Sequence, residues 1–179
     1  MLIDEATLSL AGRLTLLRPF TAADISNEYL GWLKDPEVVR FSNQRFRVHT
    51  RETALAFVNS FAGSGNLFLG IRLAENQRLV GTITAYRSQP HQTADMGILI
   101  GDRDCWGKGI GLDAWASLMD YLLNICRLRK VTGGTLRCNV GMVRIMERSG
   151  MILEAVRIQQ ELVDQVPQDA LYYAKFRAS

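Results

Sequence analysis

The sequence feature that most constrains the fold is a glycine-rich stretch between a strand pattern and a helix pattern. Residues 102–111 read Asp-Arg-Asp-Cys-Trp-Gly-Lys-Gly-Ile-Gly, and they directly follow the apolar run 96–100. Behind them, apolar residues recur at helical spacing from Leu112 to Cys126. The pattern predicts a strand, then a tight turn, then a long helix.

A turn of this kind can bind an anion. Glycine has no Cβ, so a ligand can approach the main chain closely and the chain can adopt positive φ. The first N–H groups of the following helix lack partners within the helix, and the helix dipole adds positive charge at that end. Phosphate is a common ligand there, and Lys108 supplies a full charge nearby. A tight turn without a ligand is the alternative.

Two common phosphate motifs do not fit the glycine-rich stretch. A P-loop requires Ser or Thr directly after Gly-Lys, whereas Gly109 follows Lys108. Gly107 and Gly109 are not followed by the third glycine of the dinucleotide fingerprint, and the stretch lies beyond the middle of the chain.

Composition and charge narrow the class of protein. The 179 residues suit a single domain, 1–179, and 47% hydrophobic with 22% charged residues is ordinary for a soluble globular chain. A net charge of +3 without a basic run argues against nucleic acid, and the apolar runs are too short to span a bilayer. The N-terminus lacks the basic region of a signal peptide. We therefore expect a cytoplasmic protein with three free thiols.

The remaining elements predict an α+β fold with an antiparallel meander leading into the glycine-rich stretch. Before and through the meander we predict strands at 12–19, 66–73, 78–87 and 93–100, helix caps at Thr21 and Thr50, and a helix start at Asp35-Pro36. After the long helix we predict a strand at 130–137 with a bulge at Gly133-Gly134, a short helix from Asn139 to Ser149, and a closing hairpin that turns at 166–169.

The glycine-rich stretch resembles the acetyl-CoA loop of the GNAT N-acetyltransferases, whose pattern is Arg/Gln-x-x-Gly-x-Gly/Ala. Gly109, Ile110 and Gly111 match the last three positions. Trp106 replaces Arg or Gln, a departure common in the Rim-type branch of ribosomal-protein acetyltransferases.

Two later segments strengthen this resemblance. Asn139-x-x-Met142, followed by residues 147–151, is similar to a second family motif, although methionine replaces a small residue and a phenylalanine. Residues 169–173 resemble the closing Asp-x-x-x-Tyr strand of Rim-type and sugar-amine members. The chain is identified as a member of the GNAT family, Rim-type branch, because the partial motifs occur in the family's order.

The resemblance implies a GNAT fold, in which helices flank a central mixed and mostly antiparallel sheet. It implies an N-acetyltransferase that uses acetyl-CoA as a co-substrate and needs no metal. The acceptor would be a primary amine, on a small molecule such as an amino sugar or at a protein N-terminus, and it would attack the thioester directly. We expect neither nucleic acid nor a membrane as a partner, and a homodimer is left open.

The resemblance also assigns cofactor contacts. The pantetheine arm would pair with Ile98, Leu99 and Ile100 like an additional strand, and one of their N–H groups would bind the oxyanion. The diphosphate would lie on the amides of 107–111, and Asn139 would contact the pantetheine unless it is only a helix cap. The full set of expected cofactor-binding residues is Ile98, Leu99, Ile100, Arg103, Trp106, Gly107, Lys108, Gly109, Ile110, Gly111 and Asn139.

Catalytic groups are harder to assign. Asp95 stands where many Rim-type members carry glutamate, so we expect it to be the general base, acting through a water because Asp is shorter than Glu. A solvated carboxylate at the end of a strand is the alternative. Met146 occupies the position where many family members carry the tyrosine that protonates the departing thiolate. We therefore assign the acid to Tyr173, with Tyr172 and a purely structural role as alternatives.

Two rival functions make different predictions. A non-catalytic acyl-CoA sensor of the same fold would bind coenzyme A without turnover. A nucleotide-dependent oxidoreductase would carry an acid about 20 residues after the loop to bind a ribose, whereas residues 127–130 are Arg-Leu-Arg-Lys.

Overall fold

The computed structural model describes residues 7–178, which form eight strands and four α-helices. The strands are β1 (Leu10–Ala11), β2 (Thr15–Pro19), β3 (Leu67–Leu73), β4 (Leu79–Ser88), β5 (Thr93–Ile100), β6 (Lys130–Leu136), β7 (Ile152–Val163) and β8 (Val166–Phe176). The helices are α1 (Asn27–Lys34), α2 (Arg51–Asn59), α3 (Ile110–Asp120) and α4 (Val140–Arg148).

All eight strands belong to one sheet in the order β1-β2-β3-β4-β5-β6-β8-β7. Every neighbouring pair is antiparallel except β5 and β6, which run parallel. The predicted mixed and mostly antiparallel sheet is confirmed. Within residues 7–178, no helix is long and apolar enough to cross a membrane.

Helices cover both faces of the sheet. On one face, α3 and α4 pack on the main core, where the Trp115 ring is fully buried and fits against Gly133. On the other face, α1 and α2 enclose a smaller cluster that includes Phe20 and Phe68 and is joined by Leu99 of β5. Because side chains alternate along a strand, Ile98 and Ile100 point to the α3 face and Leu99 to the α1 face.

Several predicted elements are confirmed by the structure. The strand at 93–100 has the predicted bounds. Thr21 with Asp24 forms the expected capping box, but on a 3-10 turn at Ala22–Asp24, and α1 begins later with Ser26 as its N-cap. Thr50 caps α2 and Asn139 caps α4, as predicted. The long helix begins two residues earlier than expected and ends in a π-helical turn at Tyr121–Ile125.

Three local predictions are wrong. Asp35-Pro36 starts no helix, because one turn, with Val39 N–H bonded to Asp35 C=O at 3.1 Å, is not continued. Gly133 and Gly134 form no bulge, since β6 pairs with β8 in unbroken register. A Cβ at Gly133 would lie 2.8 Å from the Trp115 ring, so that glycine makes room for packing.

The third error concerns the closing hairpin. Its turn is at Asp164 and Gln165, which both have positive φ (49° and 63°), as in the two-residue turns that match the twist of a hairpin. Pro167 lies inside β8 opposite Leu162 rather than in the turn. The hairpin is therefore longer than predicted.

Candidate functional site

The sheet opens into a fork where β5 and β6 diverge. The two strands pair only from Thr93–Lys130 to Met96–Gly133. Beyond that point β5 continues through Gly97 to Ile100 alongside β4 alone. One edge of residues 97–100 is thus unpaired within the described chain, and its backbone groups can bind another extended chain.

Backbone direction shows which amides face the fork. Gly101 N–H donates to Val80 C=O at 2.9 Å, so it points to the β4 side. On the other side, the Ala94 carbonyl oxygen lies 3.3 Å from Thr132 Oγ1, and the Ile100 carbonyl accepts from Trp106 Nε1. Because the groups alternate along a strand, the N–H groups of Ile98 and Ile100 point into the fork, and that of Leu99 points to β4. The geometry favours Ile98 and Ile100 as ligand donors over Leu99.

The glycine-rich stretch forms the turn that the sequence predicts. Gly107 and Gly109 have φ of +71° and +83°, a conformation that favours glycine, and Gly109 is the N-cap of α3. The first amides of α3, starting with Ile110, therefore lie at the mouth of the fork without helical partners. A Cβ at Gly111 would lie 2.9 Å from the Cδ1 methyl of Ile145 in α4, so α3 and α4 pack closely at Gly111.

A cavity of about 810 Å³ joins the fork to the glycine-rich turn. Its walls come from β5, β6, the turn before α3, the start of α4 and the loop after α1. The residues that line it include Glu37, Val38, Arg40, Phe41, Ser42, Ile98, Leu99, Ile100, Trp106, Gly107, Gly109, Ile110, Gly111, Gly134, Thr135, Asn139, Arg144 and Arg148.

The structure separates the predicted cofactor side chains into two groups. Trp106 lines the cavity, 43% exposed, and its indole N–H donates to Ile100 C=O at 2.9 Å. Asn139 also lines the cavity, and its Oδ1 accepts from Met142 N–H at 3.3 Å, which leaves Nδ2 to donate. Arg103 and Lys108 do not line the cavity. The Arg103 guanidinium lies 3.7 Å from the Asp35 carboxylate instead.

Asp95 lies at the closed end of the fork. It is exposed, pairs with Thr132 in the sheet, and accepts a hydrogen bond from Thr132 Oγ1 at 2.6 Å. It alternates with Gly97 and Leu99, so its carboxylate lies on the α1 face. Tyr86 of β4 is its other cross-strand neighbour. The Asp95 side chain does not line the cavity, so a proton from a group bound there would have to reach the carboxylate through a water.

Tyr173 lies in the core on the opposite face. It is 4% exposed and pairs with Gly133, the glycine that faces Trp115. Its hydroxyl donates to Glu147 Oε1 at 3.3 Å, and burial together with that carboxylate raises the pKa of Tyr173. The structure does not bring Tyr173 and Asp95 together, and this geometry gives no support to Tyr173 as the acid.

Cys105 is the thiol closest in sequence to the glycine-rich turn. It is buried, and burial together with its hydrogen bond to Asp102 raises the pKa of the thiol. A raised pKa disfavours the reactive thiolate. The arrangement therefore does not favour Cys105 as a nucleophile.

Two features of the cavity were not found from the sequence. Arg144 and Arg148 line it from α4. Their spacing of four residues, after the helix cap at Asn139, could have indicated that both lie on one face of a helix. Residues 37–42 line it from the loop after α1. The packing of that loop on the distant hairpin left no sequence pattern.

Comparison with known proteins identifies the class. Residues 13–152 match the acetyltransferase (GNAT) domain, and the chain belongs to this family. The predicted family and fold are confirmed, and the chain is an acetyltransferase by family.

Individual relatives agree with this assignment. Over 102 residues, the chain is 28% identical to a probable N-acetyltransferase, YjcK, of Bacillus subtilis, and the match covers 56% of this chain and 56% of that protein. A ribosomal-protein-S5-alanine acetyltransferase from Vibrio fischeri superimposes with a TM-score of 0.80 at 13% identity, covering 95% of this chain and 97% of that one. A spermidine N-acetyltransferase from Vibrio cholerae, in complex with CoA and spermine, also gives 0.80 at 16% identity, covering 92% and 96%. At these identities the structural likeness establishes the fold.

Proposed function

We propose that the chain transfers an acetyl group from acetyl-CoA to a primary amine on a small molecule or at a protein N-terminus. The observation that carries the proposal is one cavity shared by an unpaired strand edge and a helix N-terminal turn. The strand edge suits the amide-rich pantetheine arm, and the turn suits the diphosphate.

The reaction needs little beyond correct placement of the two reactants. The amine nitrogen attacks the thioester carbonyl carbon, the carbonyl oxygen takes up negative charge, and the carbon–sulfur bond then breaks. In this proposal the N–H of Ile98 or Ile100, both of which line the cavity, stabilises that oxygen. Holding the amine and the thioester together supplies roughly 7–11 kcal/mol.

Asp95 is the proposed general base. The attacking nitrogen must lose protons, and a general base contributes about 10²- to 10⁴-fold. Thr132 Oγ1 fixes one oxygen of the Asp95 carboxylate at 2.6 Å, and the second oxygen can accept a proton through a water. The proposal for Asp95 rests on this placement beside the fork.

The fold does not determine which amine is the acceptor, and the side chains of the cavity wall do. Neighbours of equal TM-score carry names that specify a ribosomal protein and spermidine. The acceptor wall of this chain, residues Glu37–Ser42, combines apolar side chains with Glu37 and Arg40. We therefore propose an amine acceptor without choosing between these two classes.

The free cysteines Cys105, Cys126 and Cys138 support a cytoplasmic location.

The test is release of free thiol from acetyl-CoA in the presence of a panel of amines, N-terminal peptides and amino sugars. We expect at least one acceptor to raise thiol release well above hydrolysis without acceptor, with acetylated product detected by mass spectrometry. Failure of coenzyme A to bind would end the proposal.

A second candidate is an acyl-CoA sensor of the same fold. The sensor is favoured because neither expected position supplies a general acid to protonate the thiolate. Met146 has no proton to donate, and Tyr173 is buried and faces the core. A sensor would bind coenzyme A tightly and release no thiol with any acceptor.

A further inference from the structure

Two arginines of α4 line the cavity without partners. Arg144 and Arg148 are one helical turn apart, and both side chains are exposed. Among residues 7–178, neither guanidinium has a hydrogen bond or an ion pair, and the intervening Glu147 accepts from Tyr173. Like charges four residues apart destabilise a helix, so the pair has no evident structural role.

Other arginines near the cavity are already paired. Arg40 bonds to Asp164 at 2.9 Å, Arg78 to Asp102, and Arg137 to Asp169 at 3.0 Å. Arg144 and Arg148 therefore differ from their neighbours in being available to a ligand.

The two arginines line the same cavity as the glycine-rich turn. Ile145, adjacent to Arg144, packs against Gly111 so closely that a Cβ there would be 2.9 Å away. The first turn of α3 and the exposed side of α4 thus border the same part of the cavity. An anion bound to the amides of the turn would have a second anionic group within reach of α4.

Coenzyme A carries two separate anionic groups at its nucleotide end, the diphosphate and the 3′-phosphate of the ribose. Main-chain amides are suited to the diphosphate, and guanidinium groups bind a phosphate monoester through paired, charge-assisted hydrogen bonds. We propose that Arg144 and Arg148 form a second phosphate subsite that binds the 3′-phosphate. The subsite would select donors that carry this phosphate over dephosphorylated ones. The inference rests on the proposed use of acetyl-CoA.

The test compares coenzyme A with 3′-dephospho-coenzyme A, which lacks only that phosphate, by titration calorimetry. We expect the unmodified protein to prefer coenzyme A by at least about tenfold, since one charge-assisted hydrogen bond contributes about 1.5 kcal/mol. In the double variant Arg144→Ala/Arg148→Ala the preference should fall to within about twofold. Affinity for the dephosphorylated ligand should change little.

Arg157→Ala is the matched control. Arg157 is an exposed arginine that stacks over Tyr172 at 5.0 Å and does not line the cavity, so this variant should keep the full preference. Thermal unfolding of each variant checks that the fold is intact.

Three outcomes would overturn the inference. The preference could persist in the double variant, both ligands could lose affinity equally, or the unmodified protein could bind both ligands equally and still release thiol. The second outcome would place the arginines on the diphosphate, and the third would leave the proposed function intact. Binding of neither ligand would refute the proposed function itself.

Discussion

The two walls of the cavity are built from different materials. The proposed donor wall consists of residues 97–100, 106, 107 and 109–111, and it presents mainly backbone amides. The proposed acceptor wall, Glu37–Ser42, presents side chains on a loop with little regular structure. A site formed by backbone amides depends on a local pattern of glycines. A site formed by side chains on a loop depends on the tertiary contacts that fix the position of that loop.

The acceptor wall is held by the tip of the β7–β8 hairpin, more than a hundred residues away. Arg40 bonds to Asp164 at 2.9 Å, and Arg45 donates to the carbonyl of Leu162 at 3.1 Å. Phe41 packs into the small cluster that contains Val163. Changes at the hairpin tip should therefore alter acceptor recognition and leave the donor wall unchanged.

The largest effect tests the proposed general base at the closed end of the fork. Asp95→Ala should lower kcat by about 10²- to 10⁴-fold, because the general base is lost, and leave the Kd for acetyl-CoA nearly unchanged. Steady-state kinetics and calorimetry measure the two quantities. Asp120→Ala, an exposed carboxylate on α3 outside this cavity, is the control. A large loss of cofactor affinity in Asp95→Ala would refute its role.

The next effect tests the backbone character of the donor wall. Gly107→Val should weaken coenzyme A binding by about 100-fold, because the added side chain would cost two charge-assisted hydrogen bonds between the turn and the diphosphate. Each such bond contributes roughly 1.5 kcal/mol. A Cβ at Gly107 meets no protein atom within 4 Å, so the loss would come from the ligand and the strained turn.

Gly63→Val separates these two causes. Gly63 has φ of +66° against +71° at Gly107, and its Cβ would also meet nothing within 4 Å, but it does not line the cavity. Both variants should lose similar thermal stability from the left-handed backbone. Equal coenzyme A affinity in the two variants would contradict the donor-wall assignment.

A smaller effect tests the hold on the acceptor wall. Arg45→Ala should raise the KM for the amine by about tenfold, because one charged hydrogen bond to the hairpin is lost, while the Kd for acetyl-CoA stays constant. Arg137→Ala is the control, since its partner Asp169 belongs to the same hairpin but not to the acceptor wall. An equal change in cofactor affinity would show that the walls are not independent.

The smallest effect concerns Tyr173. Tyr173→Phe should change kcat by less than about threefold and lower the free energy of unfolding by about 1 kcal/mol, because only its hydrogen bond to Glu147 is lost. Rate measurements and chemical denaturation give both values. A hundredfold fall in kcat would restore Tyr173 as the acid.

Much of the fold followed from local patterns. The strand at 93–100 and the turn before α3 are set by alternating apolar residues and by glycines at positive φ. The predictions failed where a local signal had a tertiary cause. Gly133 resembles a bulge residue in sequence, but the Trp115 ring requires it, and Pro167 resembles a turn residue but lies opposite Leu162.

The candidate site divides in the same way. The glycine-rich turn and the helix cap at Asn139 followed from local patterns, because residues that are close in sequence determine a turn and a cap. Trp106 and the cofactor role of Asn139 were added by the family resemblance. Tyr173 was assigned to the site because the register of the closing strand is unknown from the sequence. Without the register, the sequence does not show on which face of the sheet the Tyr173 side chain lies. Pairing with Gly133 placed it in the core.

The sequence by itself determined the glycine-rich turn and most of the elements, since each depends on residues within about a dozen positions of one another, and it indicated the family through several such local motifs in order. Only the tertiary structure decided which amides of β5 face the fork, where β6 leaves it, and which arginines lack partners. It also decided how the donor wall is anchored, because Asp113 in the first turn of α3 accepts from the backbone N–H groups of Arg13, Leu14 and Thr15 at about 3 Å. The Asp113 contacts join segments about a hundred residues apart and the fork joins strands that are 37 residues apart, and a linear pattern does not encode such contacts.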